Sequence, residues 1–291
     1  MALCKLLLIM RFLFIILIFS TAQAQPPMFK MLVKRQGCSL LLDCYPATAA
    51  YSTDKLRTAY SGSCMRVRRS SDNTEQDIGF SGNSIDTASL KTFVGIGGAD
   101  DGFIVTYYDQ SGNGNNATQS TQANQPMIID NGVIYRQSTK PAAFFTDGLL
   151  HFWNVPNIHG SSTVDSYVVQ NYTPTQWIQW EGAGAGGNYS YVSTSGSGST
   201  TLYSNYGTPS LYVDGALFSG TTRGDIYNSL NGYHIATYQS QNVSTWTRYT
   251  FGGYSSFELG GYVGDIIIWT SSQSSNRSAI LNNINSRWSV Y

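Results

Sequence analysis

The chain has 291 residues, enough for one large all-β domain or two small ones. Aromatic residues make up 13% of it against 12% charged residues, a composition that excludes a disordered chain and allows a sizeable core. Formal net charge is zero, and taking Lys5 and Arg11 from the 17 basic residues leaves 15 against 17 acidic ones, so nothing points to nucleic acid.

Residues 1–24 read as a secretory signal peptide. Arg11 precedes the apolar run Phe12 to Phe19, and Ala22-Gln23-Ala24 forms a small-x-small cleavage site that leaves Gln25 first. Met10 is an alternative start. An uncleaved membrane anchor is the other reading, but Arg11 cuts the apolar run below the ~20 residues of a span. No membrane partner is expected after signal removal. Residues 25–42, with Pro26-Pro27, Lys30, Lys34 and Arg35, read as a flexible lead, and residues 43–291 as one folded domain. Cys38, Cys44 and Cys64 remain after processing, an odd number that allows one bridge. Cys38–Cys44 is the local pairing and Cys44–Cys64 stays open.

A short helix is expected after Ser52, with Leu56, Ala59 and Tyr60 on one face, and a second from about Asp86, with Leu90, Phe93 and Val94. Between them Cys64 to Arg68 alternates as a strand, its arginines a solvated face opposite Asp72, Glu75 and Asp77. Phe103 to Tyr108 is a further strand. It runs into Asp109-Gln110-Ser111-Gly112-Asn113-Gly114-Asn115-Asn116, residues that tolerate left-handed backbone and bond their own main chain. We read Asp109, Gly112 and Gly114 as structural, the carboxylate accepting loop N–H groups.

From Met127 onward strands alternate with turn clusters: Met127 to Tyr135, Pro141 to Phe145, Val164 to Gln170, Gln176 to Trp180, Tyr189 to Val192, Thr201 to Tyr203, Leu211 to Val213, Ala216 to Phe218, Tyr233 to Gln239, Thr245 to Phe251 and Tyr262 to Trp269. This spacing predicts two packed antiparallel sheets. Gly264 to Trp269 is apolar on both faces at its end and should lie centrally, and Ile280, Leu281, Ile284 and Trp288 predict a closing helix. Asp214-Gly215 between two strands is a type I′ hairpin signal. Trp177 and Trp180, followed by Tyr189, Tyr191, Tyr203 and Tyr206, could present flat faces to a sugar; the alternative is that they fill the core. His151, His159 and His234 lack metal-ligand spacing. Asp100-Asp101 could join Asp109 around Ca²⁺, a solvated turn being the other reading. No metal and no cofactor is expected.

Two stretches, Arg66-Val67-Arg68-Arg69-Ser70-Ser71-Asp72-Asn73-Thr74-Glu75-Gln76-Asp77-Ile78-Gly79 and Tyr107-Tyr108-Asp109-Gln110-Ser111-Gly112-Asn113-Gly114-Asn115-Asn116, resemble the catalytic domain of α-L-arabinofuranosidase B, glycoside hydrolase family 54. The resemblance implies a concanavalin A-like β-sandwich with short peripheral helices, and an N-terminal disulfide near Cys44, which favours Cys38–Cys44. It also implies retaining hydrolysis by a Glu nucleophile and an Asp acid from the second half of the domain. Setting Leu217-Phe218-Ser219-Gly220 against the family's matching residues puts Asp214 at the nucleophile's place, one methylene short, and on the order of 1 Å of lost reach could cost about 10²-fold in rate.

At the acid's place the Gly-Gly pair, Gly252-Gly253, is followed by Tyr254, and a phenol near pKa 10 is a poor donor at neutral pH. Glu258 and Asp265 are candidate substitutes, Asp265 being expected at a strand entrance. The family's adjacent cysteine pair is absent, and its sugar-stacking Trp has Leu202 nearest. The expected function is therefore a secreted carbohydrate-binding sandwich with weak or no hydrolysis. Its partner would be an arabinose-containing glycan held by Asp214, Tyr254, Trp177 and Trp180. The alternatives are an active α-L-arabinofuranosidase with Asp214 as nucleophile, and a structural adhesion module of a cell or virion surface.

Overall fold

A computed structural model of the chain describes residues 38–95, 100–161, 163–172, 176–182, 188–194, 210–253 and 259–291. The signal segment, most of the lead, Thr201 to Tyr203, Tyr254 and Glu258 lie outside the described residues.

Three long strands form the centre of one layer. Val164–Tyr172 pairs antiparallel with Gly232–Gln241 on one side and with Gly261–Trp269 on the other. Ser210–Val213 and its hairpin partner Ala216–Leu217 extend this layer beyond Gly232–Gln241. Ala49–Tyr51 and Ala143–Phe145 pair with opposite ends of Gly261–Trp269. The second layer runs in the order Glu75–Ile78, Met65–Arg69, Gly102–Tyr107, Ala117–Thr118, Phe152–Asn154, Thr250–Gly252, Gln176–Gly182 and Asn188–Thr194. Met127–Asp130 bonds to Gly102–Tyr107 and to Ala143–Phe145, joining the layers at one edge.

The side-chain period of two explains the core. Val168, Ala236, Ile266 and Ile268 face inward against Met65, Val67, Ile104, Trp153 and Phe251 of the other layer. Aromatic rings cross the gap, with Tyr51 5.8 Å from Tyr107 and Phe145 edge-on to Trp153 at 5.1 Å. The alternate residues Tyr167, Val169, Ile235, Ile267 and Trp269 are also buried, because the Arg277–Trp288 helix lays Ile280, Leu281, Ile284 and Trp288 across that face. Each such side chain contributes about 1.5–3 kcal/mol through burial. Trp288 lies directly over Gly264, where a Cβ would come within 2.7 Å of its ring.

The Thr87–Val94 helix begins where expected, with the Asp86 carboxylate accepting from the N–H groups of Ala88 (3.1 Å) and Ser89 (3.0 Å). The helix expected after Ser52 does not form. Gln110 holds that segment irregular: its Oε1 accepts from Leu56 N (2.8 Å), and its Nε2 donates to the carbonyls of Ser52 (2.8 Å) and Asp54 (3.0 Å). Three tertiary hydrogen bonds to a buried amide override a weak helical period. A single turn, Leu41–Cys44, lies instead within the loop closed by the Cys38–Cys44 disulfide, while Cys64 is a buried thiol.

The Arg223–Leu230 helix was not anticipated. Its start is a capping box: Thr222 Oγ1 accepts from Asp225 N (3.1 Å), and the Asp225 carboxylate accepts from Thr222 N (2.9 Å). No helix among the described residues is long and apolar enough to cross a membrane.

Candidate functional site

Asp214 sits at φ +51° and Gly215 at φ +87°, the two left-handed positions of a type I′ hairpin closed by Val213 and Ala216. The turn fixes where the carboxylate goes. It folds back on the adjacent strand, Oδ1 accepting from Ile235 N (2.8 Å) and Oδ2 lying 2.8 Å from His234 Nδ1. The Asp214 carboxylate raises the pKa of His234, against an opposing effect of burial. Because the folded-state value lies above the unfolded one, the pair's stabilisation is complete below about pH 6.5 and fades as pH rises through the raised pKa. An NMR titration should place the His234 midpoint above that of a free histidine, and Asp214→Asn should bring it down. A midpoint unmoved by the substitution would contradict the pairing.

Beyond the hairpin, Leu217, Phe218, Ser219, Gly220 and Thr221 face Asp225, Asn228 and Ser229 of the following helix, with Val213 and Ala216 beside them. They enclose an open groove of about 600 Å³. Leu217 is 61% exposed and gives the groove an apolar wall, while an amide, hydroxyls and one carboxylate supply polar contacts. That carboxylate, Asp225, is committed to the helix cap, and the N–H groups of Thr221 and Thr222 hold its pKa below the usual range. It is an ionised acceptor rather than a proton donor. Asp214 is not in the lining, so the groove's described residues do not supply the two carboxyl groups about 5–5.5 Å apart that retention needs.

Among the described residues, Gly252, Asp265 and Trp180 do not line this groove. Gly252, at φ +89°, lies so close to His151 O and Phe152 that a side chain would collide, and the next positions of interest, Tyr254 and Glu258, lie outside the described residues. Asp265 corrects an expectation: it is in the middle of the Gly261–Trp269 strand, fully buried, with Oδ2 bound by Arg287 Nη2. Burial and ion pairing remove it as a general acid. Trp180 takes the core alternative, fully buried and stacked on Tyr249 at 4.5 Å. A ring with no exposed face offers no platform to a sugar. Trp177 lies in the Gln176–Gly182 strand, its side chain outside the described atoms.

Asp109 follows the Gly102–Tyr107 strand. It is buried, Oδ1 accepting from Ala50 N (2.9 Å) and Ser111 N (2.8 Å), and Oδ2 from Ser111 Oγ (2.6 Å) and Asn115 N (3.0 Å). Gly112 and Gly114 are left-handed at φ +90° and +76°. Asp101 accepts from Asn131 N (2.9 Å), and no group of three His, Cys, Asp or Glu residues arranged to hold a metal ion occurs among the described residues. Burial pushes His151 down to about 4, and its Nδ1 accepts from Thr146 N (3.2 Å).

The two layers and their closing helix define an antiparallel β-sandwich. Residues 42–143 match the family described as alpha-L-arabinofuranosidase B, catalytic. An arabinofuranosidase complexed with arabinofuranosyl-alpha-1,2-xylobiose has the same fold, with TM-score 0.50 and 17% identity, covering 84% of this chain and 64% of its own. A glycoside hydrolase family 54 α-L-arabinofuranosidase soaked with a cyclic sulfate inhibitor compares at TM-score 0.50 and 18% identity, covering 82% and 62%. This chain thus spans less than two thirds of the length of either relative. No curated protein matches it. The chain resembles the family 54 catalytic domain as its two motifs implied. The matched stretch ends before Asp214 and Gly252, so it concerns the fold motifs rather than the catalytic places.

Proposed function

We propose that the chain is a secreted carbohydrate-binding sandwich, similar to the arabinofuranosidase B catalytic domain, that holds an arabinose-containing glycan with weak or no hydrolysis. One observation carries the reading: Leu217 to Gly220, the residues that set the register with the family's nucleophile, line an amphipathic groove from which the Asp214 carboxylate is turned away. Its size falls within the ~300–1,000 Å³ of small-ligand sites. Apolar surface beside hydroxyl and amide groups suits a sugar, whose ring faces are apolar and whose rim is polar. Export rests on the order of charge, apolar run and Ala-x-Ala site in residues 1–24.

Calorimetric titration with arabino-oligosaccharides is the test. The native protein should bind, and Asn228→Ala, on an exposed position facing the groove, should weaken binding about tenfold, the loss of roughly one well-formed hydrogen bond. Binding unchanged by Asn228→Ala would move the site elsewhere, and no binding to any glycan would favour the adhesion module. A second reading is a working arabinofuranosidase with Asp214 as nucleophile; the family match over residues 42–143 favours the activity class and does not reach Asp214.

A further inference from the structure

Five Asn-x-Ser/Thr triplets occur in the chain, at Asn116, Asn171, Asn188, Asn242 and Asn276. In an N-glycosylating secretory route such a triplet is recognised as the chain emerges, before folding. What the fold decides is whether a glycan on the amide nitrogen can be accommodated. Asn171 is poorly suited: it lies in the central Val164–Tyr172 strand, paired on both sides, and its Nδ2 donates to Gln137 Oε1 (2.8 Å). Asn276 Nδ2 donates to Gln273 Oε1 (3.0 Å) at the start of the closing helix. Asn116 is half-buried in the Asp109 loop, its Oδ1 accepting from Asp109 N (3.0 Å), and Thr118 of its triplet is a rung of the sheet. The Asn188 side chain lies outside the described atoms.

Asn242-Val243-Ser244 is different. It leaves the end of the Gly232–Gln241 strand as a self-bonded turn in which Asn242 Oδ1 accepts from Ser244 N (3.0 Å) and from Ser244 Oγ (2.7 Å). Asn242 and Ser244 are exposed, while Val243 and Trp246 are buried and pin the turn from within. Val243 O accepts from Trp246 N (3.0 Å) and from Gly160 N (3.0 Å). The bonds at Asn242 use its amide oxygen, and the amide nitrogen has no partner among the described residues. We propose that Asn242 is an N-glycosylation site. Its Nδ2 forms a bond to C1 of the first sugar of a polyprenyl-diphosphate-linked oligosaccharide, the bond from C1 to the diphosphate oxygen breaks, and the proton lost from Nδ2 leaves with the diphosphate. The Ser244 hydroxyl is the group the transferase recognises at the triplet's third position. At about 3.3 Å per residue, Asn242 stands roughly 20 Å along the chain from Ile235, which holds the Asp214 turn, so a glycan there stays clear of the hairpin. The proposal rests on export of the chain and does not depend on what the hairpin groove binds.

The test is expression of the full chain, residues 1–24 included, in a eukaryotic secretory host. Peptide mapping before and after enzymatic removal of N-glycans, which converts a linked Asn to Asp, locates the modified position. Secreted protein should carry a glycan at Asn242. Ser244→Ala should lose it and Ser244→Thr should keep it, because recognition needs the hydroxyl rather than the asparagine alone. A secreted chain beginning at Gln25 with Asn242 unmodified, or with Asn171 modified in its place, would overturn this assignment alone. An intracellular chain beginning at Met1 and bearing no glycan would overturn it together with the export reading. A glycan at Asn242 on a chain that keeps residues 1–24 would sustain the assignment and contradict only signal cleavage.

Discussion

Asp109→Ala should lower the melting temperature by roughly 10 °C. The substitution removes the acceptor for the backbone N–H groups of Ala50, Ser111 and Asn115 and for the Ser111 hydroxyl. Buried donors left without a partner cost about 1–3 kcal/mol each, and some of these will reach water once the loop loosens, so a net loss of about 3–5 kcal/mol is reasonable. For a chain of this length each kcal/mol moves the midpoint by about 2–4 °C. Ala50 is also the link to the other layer, because Ala49–Tyr51 pairs with Gly261–Trp269. The loop therefore fastens the end of one sheet to the edge of the other. Thermal unfolding followed by circular dichroism is the check. An unchanged melting curve with glycan binding abolished would make Asp109 a ligand residue instead.

Arg287→Met should destabilise the protein by about 3–5 kcal/mol, because it leaves the Asp265 carboxylate buried and unpaired. Arg287 reaches from the closing helix to Asp265, and lies 3.9 Å from Asp54, whose carboxylate also meets Lys140 Nζ at 2.5 Å. Two acidic and two basic groups thus sit between the helix and the sheet beside Trp288. Taking both partners away is a different matter. Asp265→Leu with Arg287→Met replaces two desolvated charges by apolar packing and should recover most of the loss. Urea unfolding of the single and double variants measures this. A double variant as weak as the sum of the singles would show that the two groups act independently.

The layers were legible in the sequence because their strands carry unbroken apolar runs bounded by Gly, Ser and Asn. Ile266 to Trp269 reads as buried on both faces and is, one face on the other layer and one under the Arg277–Trp288 helix. The closing helix was legible from four apolar residues at helical spacing, and the Asp214-Gly215 turn from its dipeptide. Arg223–Leu230 escaped because it is eight residues long and places only Ile226 and Leu230 as apolar residues in the core; its signal was the Thr222-x-x-Asp225 cap. The segment after Ser52 misled because Gln110, far along the chain, satisfies its backbone.

The site was harder to read for a related reason. The strand period of two does not by itself say which face of a strand points inward, and Trp180 went to the core between the layers.

Turnover of 4-nitrophenyl α-L-arabinofuranoside by the native protein, beside Asp214→Asn, tests the central claim most directly. The account predicts turnover far below the ~1–10³ s⁻¹ of ordinary enzymes and no dependence on Asp214, whose carboxylate is committed to His234 and Ile235. Turnover in that range, lost on Asp214→Asn in a protein that remains folded, would show that the hairpin opens to deliver a nucleophile and that the chain is a hydrolase.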